Sequence, residues 1–110
     1  MRILRYAILS SIVLLMSCSE GEPPCIAERI DNFKNNQSDC REATIAKYEF
    51  MGSEVYTFTD GQCISDDGTN IIDSECNSVC FLGGIAGFTL CQDRDFYEEA
   101  IFIEELFSVD

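Results

Sequence analysis

Cysteine is the residue type with the greatest capacity for covalent chemistry in this chain. The cysteines are Cys18, Cys25, Cys40, Cys63, Cys76, Cys80 and Cys91, and the chain has no histidine. A thiolate can form a disulfide, bind a metal or take up a lipid. The absence of histidine excludes Ser-His and Cys-His nucleophilic pairs and every histidine metal site. We therefore expect cross-links and covalent attachment from these thiols, and no catalytic residues.

The first 17 residues have the layout of a secretory signal peptide. Arg2 and Arg5 precede a mostly apolar run over residues 6–16. A basic start followed by such a run is typical of export signals. The run is shorter than the ~20 residues that a stable transmembrane helix needs. The pattern therefore predicts export of the chain and removal of residues 1–17.

The end of the leader resembles the bacterial lipobox. Leu15 stands three positions before Cys18, and the small residue Ser17 stands directly before it. The resemblance implies that the Cys18 thiol receives a diacylglyceryl group and that its new amine is acylated with a palmitate-type chain. Each buried CH₂ contributes about 0.8 kcal/mol to membrane binding, so three chains anchor firmly. An ordinary signal peptide with an incidental cysteine is the alternative.

The residues after the lipid cysteine indicate where in the cell envelope the protein is located. Residues 18–24 form a tether and residues 25–110 form the domain. Ser19 occupies the position where an Asp would retain enteric lipoproteins in the inner membrane. The acidic residues Glu20 and Glu22 resemble the surface-export signal of Bacteroidetes lipoproteins, and a plain flexible tether is the alternative. We expect a lipid anchor in the outer membrane, with the periplasm and the cell surface as the two candidate orientations.

The six remaining cysteines suit three disulfides. An odd number of cysteines in an exported protein requires a separate role for one of them, and lipidation of Cys18 leaves an even number. Exported compartments are oxidising, and small exported domains depend on disulfides because their cores are small. Each bridge would contribute about 2–4 kcal/mol. Six cysteines allow 15 pairings, and the sequence does not choose among them.

The chain is strongly acidic. It has 7 basic and 20 acidic residues, and two of the basic residues, Arg2 and Arg5, lie in the leader. The part after the leader therefore holds 5 basic and 20 acidic residues, a net charge of −15. Such a surface repels nucleic acid, so we expect no nucleic-acid partner. The charge either keeps the domain soluble or serves a cation site or a basic partner.

An amphipathic helix opens the domain. Ile26, Ile30 and Phe33 recur at the spacing of one helical face within residues 25–34. The preceding residue, Pro24, is favourable at a helix start. The sequence predicts that this apolar face packs against the rest of the domain.

A β-hairpin follows the helix. Residues 43–50 and 54–59 alternate apolar and polar side chains and are rich in β-branched and aromatic types. Gly52 supplies the backbone freedom of the turn between them. In the first strand Tyr48 and Phe50 are expected on one face and Ile45 on the other.

The second half of the domain gives weaker patterns. Three glycines within residues 81–87 favour an irregular loop, which a bond between Cys80 and Cys91 would restrain. Residues 95–102 fit a helix that begins at a capping Asp. Residues 106–109 could add a last strand to the hairpin. The predicted fold is a small disulfide-stapled α+β domain with an N-terminal helix, a central hairpin or small sheet and a Cys/Gly-rich loop region.

The whole domain resembles a family of small Bacteroidetes lipoproteins that carry one cysteine-rich domain of unknown function. The matching segments are residues 25–30, the Y-x-F-x-G-x-x-V-Y pattern of residues 48–56, residues 73–80, the glycines of residues 83–87, Cys91, and Asp95 with Phe96. The family often has paired cysteines near position 63, where this chain has Cys63 alone, and Cys40 could replace the missing partner. The resemblance implies a location and a scaffold and no activity.

Metal and cofactor chemistry have little support. Asp66, Asp67 and Asn70 could offer oxygen ligands to a cation. With Gly68 as the sixth position of an EF-hand loop, the first and twelfth positions carry unsuitable residues, so a simple Asp/Asn/Gly turn is favoured. A zinc site would need reduced cysteines, which an oxidising compartment disfavours. We expect no metal and no cofactor.

Three functions are compatible with these observations. The first is a non-enzymatic envelope lipoprotein that presents a binding or structural surface to an unidentified protein partner. The second is a protease inhibitor, because Cys63, Asp67-Gly68-Thr69, Cys76 and Cys80 faintly resemble a Kazal-type inhibitor with an exposed loop between Cys63 and Cys76. The third is an accessory subunit of an outer-membrane complex. In all three the membrane is contacted through Cys18.

Overall fold

An antiparallel five-stranded sheet is the main element of the computed structural model, which describes residues 21–63, 68–84 and 87–110. In chain order the elements are α1 (Pro24–Gln37), β1 (Thr44–Phe50), β2 (Ser53–Thr59), β3 (Gly68–Asp73), β4 (Ser78–Gly83), β5 (Leu90–Cys91), β6 (Arg94–Asp95), α2 (Phe96–Glu99) and β7 (Ile101–Ser108). The strand order is β4-β3-β2-β1-β7, and β5 pairs with β6 in a small second sheet. The α+β class is confirmed, and the predicted hairpin is the centre of a larger sheet.

The predicted opening helix is confirmed. Pro24 lies at the start of α1, and Ile26 and Ile30 are buried against the sheet. The helix continues to Gln37, three residues beyond the predicted end. The side chain of Gln37 is buried, and its Oε1 accepts a hydrogen bond of 3.0 Å from the backbone N–H of Gly61. A buried polar group needs such a partner, so this contact holds the last turn of α1 in place.

The hairpin of β1 and β2 is also confirmed. Met51 and Gly52 form a two-residue connection with φ of +54° and +83°. Positive φ at both central residues is the geometry of the tight turn that matches the twist of paired strands. Tyr48 and Phe50 face one side of the sheet and Ile45 the other, as predicted.

Both faces of the sheet are covered, which gives the domain two cores. The core under α1 consists of Ile26, Ile30, Ile45, Tyr56, Phe58 and Ile72. The opposite core consists of Phe50, Val55, Ile71, Leu82, Cys91 and Phe96, and it is covered by the excursion from residue 87 to residue 100. Central strands therefore carry apolar residues on both sides, because each side chain points into one of the two cores.

The predicted helix over residues 95–102 is wrong beyond its first turn. Asp95 caps it as expected, because its carboxylate accepts a hydrogen bond of 3.2 Å from the N–H of Glu98. The helix α2 ends at Glu99, and the chain is extended from Ile101 onward. The predicted last strand therefore starts five residues earlier than expected. The ladder with β1 satisfies the backbone groups of this segment, and the pairing overrides the local tendency to continue the helix.

The predicted irregular loop over residues 81–87 is only partly confirmed. Residues 78–83 form β4, which pairs with β3 and is one edge of the sheet. The strand ends where Gly83 and Gly84 adopt φ of +84° and +73°. The glycines therefore terminate a strand, whose own pairing with β3 overrides the local tendency to form a loop.

Three disulfides use the six cysteines of the domain. They join Cys25 to Cys76, Cys40 to Cys63 and Cys80 to Cys91, with Cα–Cα distances of 6.1, 5.2 and 5.4 Å. The first joins α1 to the end of β3, the second closes the region between α1 and β3, and the third ties the excursion to β4. Each layer of the fold is therefore linked covalently to the sheet.

Candidate functional site

We first locate the residues that were predicted to hold a lipid or a cation. Cys18, Asp66 and Asp67 lie outside the described residues. Asn70 is exposed on β3, between Phe58 and Phe81 on the neighbouring strands. Within residues 21–63, 68–84 and 87–110 no group of three Cys, Asp or Glu side chains could hold a metal ion. No helix in that part of the chain is long and apolar enough to cross a membrane.

The outer side of β7 carries an exposed apolar surface. Ile101, Phe102 and Ile103, called the edge patch here, are 62%, 57% and 43% exposed. β7 is the last strand of the sheet, so one row of its backbone N–H and C=O groups points away from β1. Natural sheets usually protect such an edge with charge, proline or a covering element, because it can pair with another chain. Three consecutive large apolar residues on an edge therefore mark a candidate binding surface.

The edge patch rests on a packed aromatic cluster. The ring of Phe102 lies 5.5 Å from that of Tyr48, edge to face. Tyr48 in turn contacts the fully buried Phe96 at 5.1 Å and the exposed Tyr97 at 6.2 Å. Burial raises the pKa of Tyr48, and Tyr97 adds to the effect, so the phenol stays neutral at physiological pH. The patch thus extends to Tyr97 and has a rigid base, which lowers the entropy cost of binding.

The charges around the edge patch are negative. Glu104 and Glu105 continue β7 beyond the patch, and Glu98 lies in α2 before it. Two cations on neighbouring elements, Arg94 and Lys47, are already paired. Arg94 donates a hydrogen bond of 2.8 Å to Glu99.

Lys47, the partner of Glu104 across the β1–β7 ladder, is the second paired cation. Its Nζ lies 3.4 Å from a carboxylate oxygen of Glu22. Burial lowers the pKa of Lys47, but Glu22, Tyr56 and Glu54 together raise it by more, so the pKa of Lys47 is raised overall. Because the single ammonium of Lys47 lies among the carboxylates of Glu22 and Glu104, and Glu105 adds a third carboxylate, the surface beside the edge patch is net negative.

A cleft of about 440 Å³ between the sheet and the excursion shares Tyr97 with this surface. Its lining includes Thr59, Thr69, Phe88, Asp95 and Tyr97. The hydroxyls of Thr59 and Thr69 hydrogen-bond each other at 2.8 Å, and the Asp95 carboxylate is engaged in the cap of α2. Three polar side chains of this lining, those of Thr59, Thr69 and Asp95, are thus already engaged, and the cleft offers a small molecule chiefly apolar contacts.

The edge patch was missed by the sequence analysis. Assigning residues 95–102 to a helix placed Ile101 and Phe102 on a helical surface. The run Ile101-Phe102-Ile103 combines β-branched and aromatic residues, which favour a strand. That signal could have revealed β7, but its position at the edge of the sheet depends on strand order, which no local pattern reports.

The fold and this surface define a small disulfide-stapled α+β domain with an open, apolar and acidic sheet edge. A family model described as a domain of unknown function (DUF6970) matches residues 31–109, which includes the whole five-stranded sheet and the second half of α1. The chain belongs to this family. Searches of curated proteins and of solved structures find no match to the chain.

Proposed function

We propose that the chain is a non-enzymatic, lipid-anchored protein of the cell envelope that binds a protein partner through the edge of its sheet. The observation that carries this proposal is the edge patch, because Ile101, Phe102 and Ile103 are exposed on β7, whose outer side pairs with no strand of the described residues. Their exposure to water is unfavourable, because burying a side chain of this size contributes about 1.5–3 kcal/mol. Binding a partner there would recover part of that free energy.

The leader supports the anchored location. Leu15, Ser17 and Cys18 match the lipobox, and the domain resembles Bacteroidetes lipoproteins, whose place is the outer membrane. The first described residues fit a tether, because Glu22 pairs with Lys47 on β1 and Pro23 precedes the start of α1. A lipid at Cys18 would therefore hold the domain by a short segment that reaches the sheet near β7.

The structure adds no specific support for the inhibitor hypothesis. That hypothesis needs an exposed loop between Cys63 and Cys76 that a protease can bind. Residues 64–67 of this segment lie outside the described residues, and residues 68–73 form β3, which pairs with β2 on one side and β4 on the other. The accessory-subunit hypothesis agrees with an edge that binds a fixed partner and is a special case of the proposal.

Metabolic labelling with an alkyne analogue of palmitate tests the anchor. Cells expressing the tagged full chain should yield a labelled protein, and Cys18→Ala should abolish the label and release the protein from membranes. Ser19→Ala is the matched control and should keep the label. Labelling that persists in Cys18→Ala, or a mature protein without any label, would contradict the proposal.

Protease shaving of intact cells then decides the orientation. Loss of the tag from intact cells means that the domain faces outward, and loss only after cell breakage means that it faces the periplasm. Partners should be sought among surface molecules in the first case and among envelope complexes in the second.

A further inference from the structure

We infer that β7 binds its partner by antiparallel strand addition, and that the partner strand carries Lys or Arg followed by apolar residues. This inference deepens the proposed function and rests on its use of the sheet edge, but not on the lipid at Cys18. The relevant juxtaposition is that Ile101–Ile103 and the pair Glu104 and Glu105 lie consecutively on β7, which is an edge of the sheet in the described part of the chain.

The backbone of β7 provides the affinity. Its inner side pairs with β1 from Glu49↔Ile101 to Thr44↔Ser108. The outer row of N–H and C=O groups is directed away from the sheet, which is the arrangement to which an extended peptide adds in strand-addition complexes. Two register shifts, at Ile45/Ala46 and Lys47/Tyr48, interrupt the inner ladder. Irregularities of this kind twist a strand, and an incoming strand should fit best at the regular segment over Ile101 and Phe102.

The side chains of β7 provide the selectivity. Phe102 lies on the side of Tyr48 and Phe96, and its neighbours Ile101 and Ile103 project to the other side. An added strand would place apolar residues beside all three. Farther along β7 it would meet Glu104 and Glu105, where opposite charges across strands contribute roughly 0.2–1 kcal/mol per pair.

A second copy of the chain fits this edge poorly. Antiparallel pairing of β7 with its own copy over the whole strand would place Glu104 opposite Glu105 in both halves of the interface, and a register centred on Phe102 avoids this only by pairing a short segment around the edge patch. Like charges directly opposite each other destabilise a sheet. The net charge of −15 after the leader adds long-range repulsion between copies. The same carboxylates disfavour an anionic lipid surface, so a basic strand is the occupant that the charges favour.

Hydrogen exchange of the full-length protein in neutral detergent micelles tests the inference. The probe is a short capped peptide with alternating Lys and Thr in its first half and alternating Val and Thr in its second half. Its matched control has Glu in place of Lys. We expect the Lys peptide to bind saturably and to slow amide exchange within residues 101–107, and the Glu peptide to bind at least about tenfold more weakly.

Three variants sharpen the result. Ile103→Lys should weaken binding of the Lys peptide about tenfold or more, with its thermal midpoint measured to confirm folding. Leu90→Lys changes a similarly exposed residue, 55% against 43%, near the opposite edge, and should bind normally. Glu105→Lys keeps the edge patch and should reverse the preference toward the Glu peptide, which a variant that merely misfolds would not do.

The inference is overturned by any of four results. These are no binding of the Lys peptide, binding without slower exchange in β7, exchange that slows with protein concentration alone, and exchange that slows on phosphatidylglycerol vesicles but not with the peptide. The last two would identify a second copy and a membrane as the occupant. Palmitate labelling is independent of all of them, so failure of the anchor and failure of strand addition are distinguishable.

Discussion

Cys25 in the first turn of α1 is bonded to Cys76, which follows the end of β3. The bond spans 51 positions of the chain and holds the helix over the core that contains Ile26 and Ile72. A cross-link that closes a long segment removes more conformational entropy from the unfolded chain than one that closes a short segment. This disulfide should therefore matter most to stability.

Replacing Cys25 and Cys76 together by Ser should lower the free energy of unfolding by about 4 kcal/mol. Replacing Cys80 and Cys91, which are separated by only 11 positions, should cost about 3 kcal/mol. Urea unfolding of both double variants under non-reducing conditions measures the difference. Equal or reversed losses would contradict the ranking by segment length.

Phe96 should be the most sensitive residue of the excursion. It is fully buried and contacts the rings of Tyr48 and Phe50 at 5.1 and 4.9 Å. Phe96→Ala leaves a cavity and should cost about 3–5 kcal/mol. The control, Phe88→Ala, removes a ring that is 57% exposed and should stay within about 0.5 kcal/mol of the wild type. Similar losses in chemical unfolding for the two variants would show that the excursion does not pack on the sheet.

Gly68 cannot accept a side chain without displacing β4. A Cβ there would overlap the Phe81 ring and would lie 2.8 Å from the backbone oxygen of Leu82. The ring can move but the paired backbone cannot do so cheaply, so Gly68→Ala should cost about 1–3 kcal/mol. Gly21→Ala, with no atom within 4 Å of the new Cβ, is the control. A Gly68→Ala melting temperature equal to that of the control would contradict this close packing.

Asp73 should make stability depend on pH in the acid range. Its carboxylate accepts hydrogen bonds of 2.9 Å from the N–H groups of Asn77 and Glu75, and the bond from Asn77 is the main cause that lowers its pKa below the ordinary 3.8. A lowered folded-state pKa stabilises the fold above the unfolded pKa, and this contribution is lost as pH falls through the folded value. The stability difference between wild type and Asp73→Asn should therefore be constant above about pH 5 and shrink below pH 3.8.

Urea midpoints of both proteins from pH 6 to pH 2 measure this difference. A gap that does not change across that range would show that the charge of Asp73 contributes nothing to the turn before β4.

Local sequence patterns were sufficient to predict the elements whose structure depends on their own residues. The spacing of Ile26, Ile30 and Phe33 predicted α1, and the alternation around Gly52 predicted the hairpin of β1 and β2. Asp95 was recognised as a cap because its hydrogen bond to Glu98 is local. Periodicity and capping are properties of a short segment, so they can be read without knowledge of its neighbours.

The same reasoning failed where a distant strand competes with a local preference. Residues after Glu99 leave the helical path because β1 offers an unpaired edge, and residues 78–83 become β4 because β3 offers another. Both outcomes depend on strands that are remote in sequence. The candidate surface was missed for this reason, since the edge patch exists only because β7 is the last strand.

The sequence by itself determined the export leader pattern, the acidic surface, the α+β class and the set of six cysteines available for bonding. These follow from composition and from short-range spacing. Only the tertiary structure selected one of the 15 pairings and placed Cys25 beside Cys76. It also left Ile101, Phe102 and Ile103 in solvent on an open edge. Pairing and exposure are decided by which distant segments meet, and that depends on the balance of burial and backbone hydrogen bonding over the whole chain.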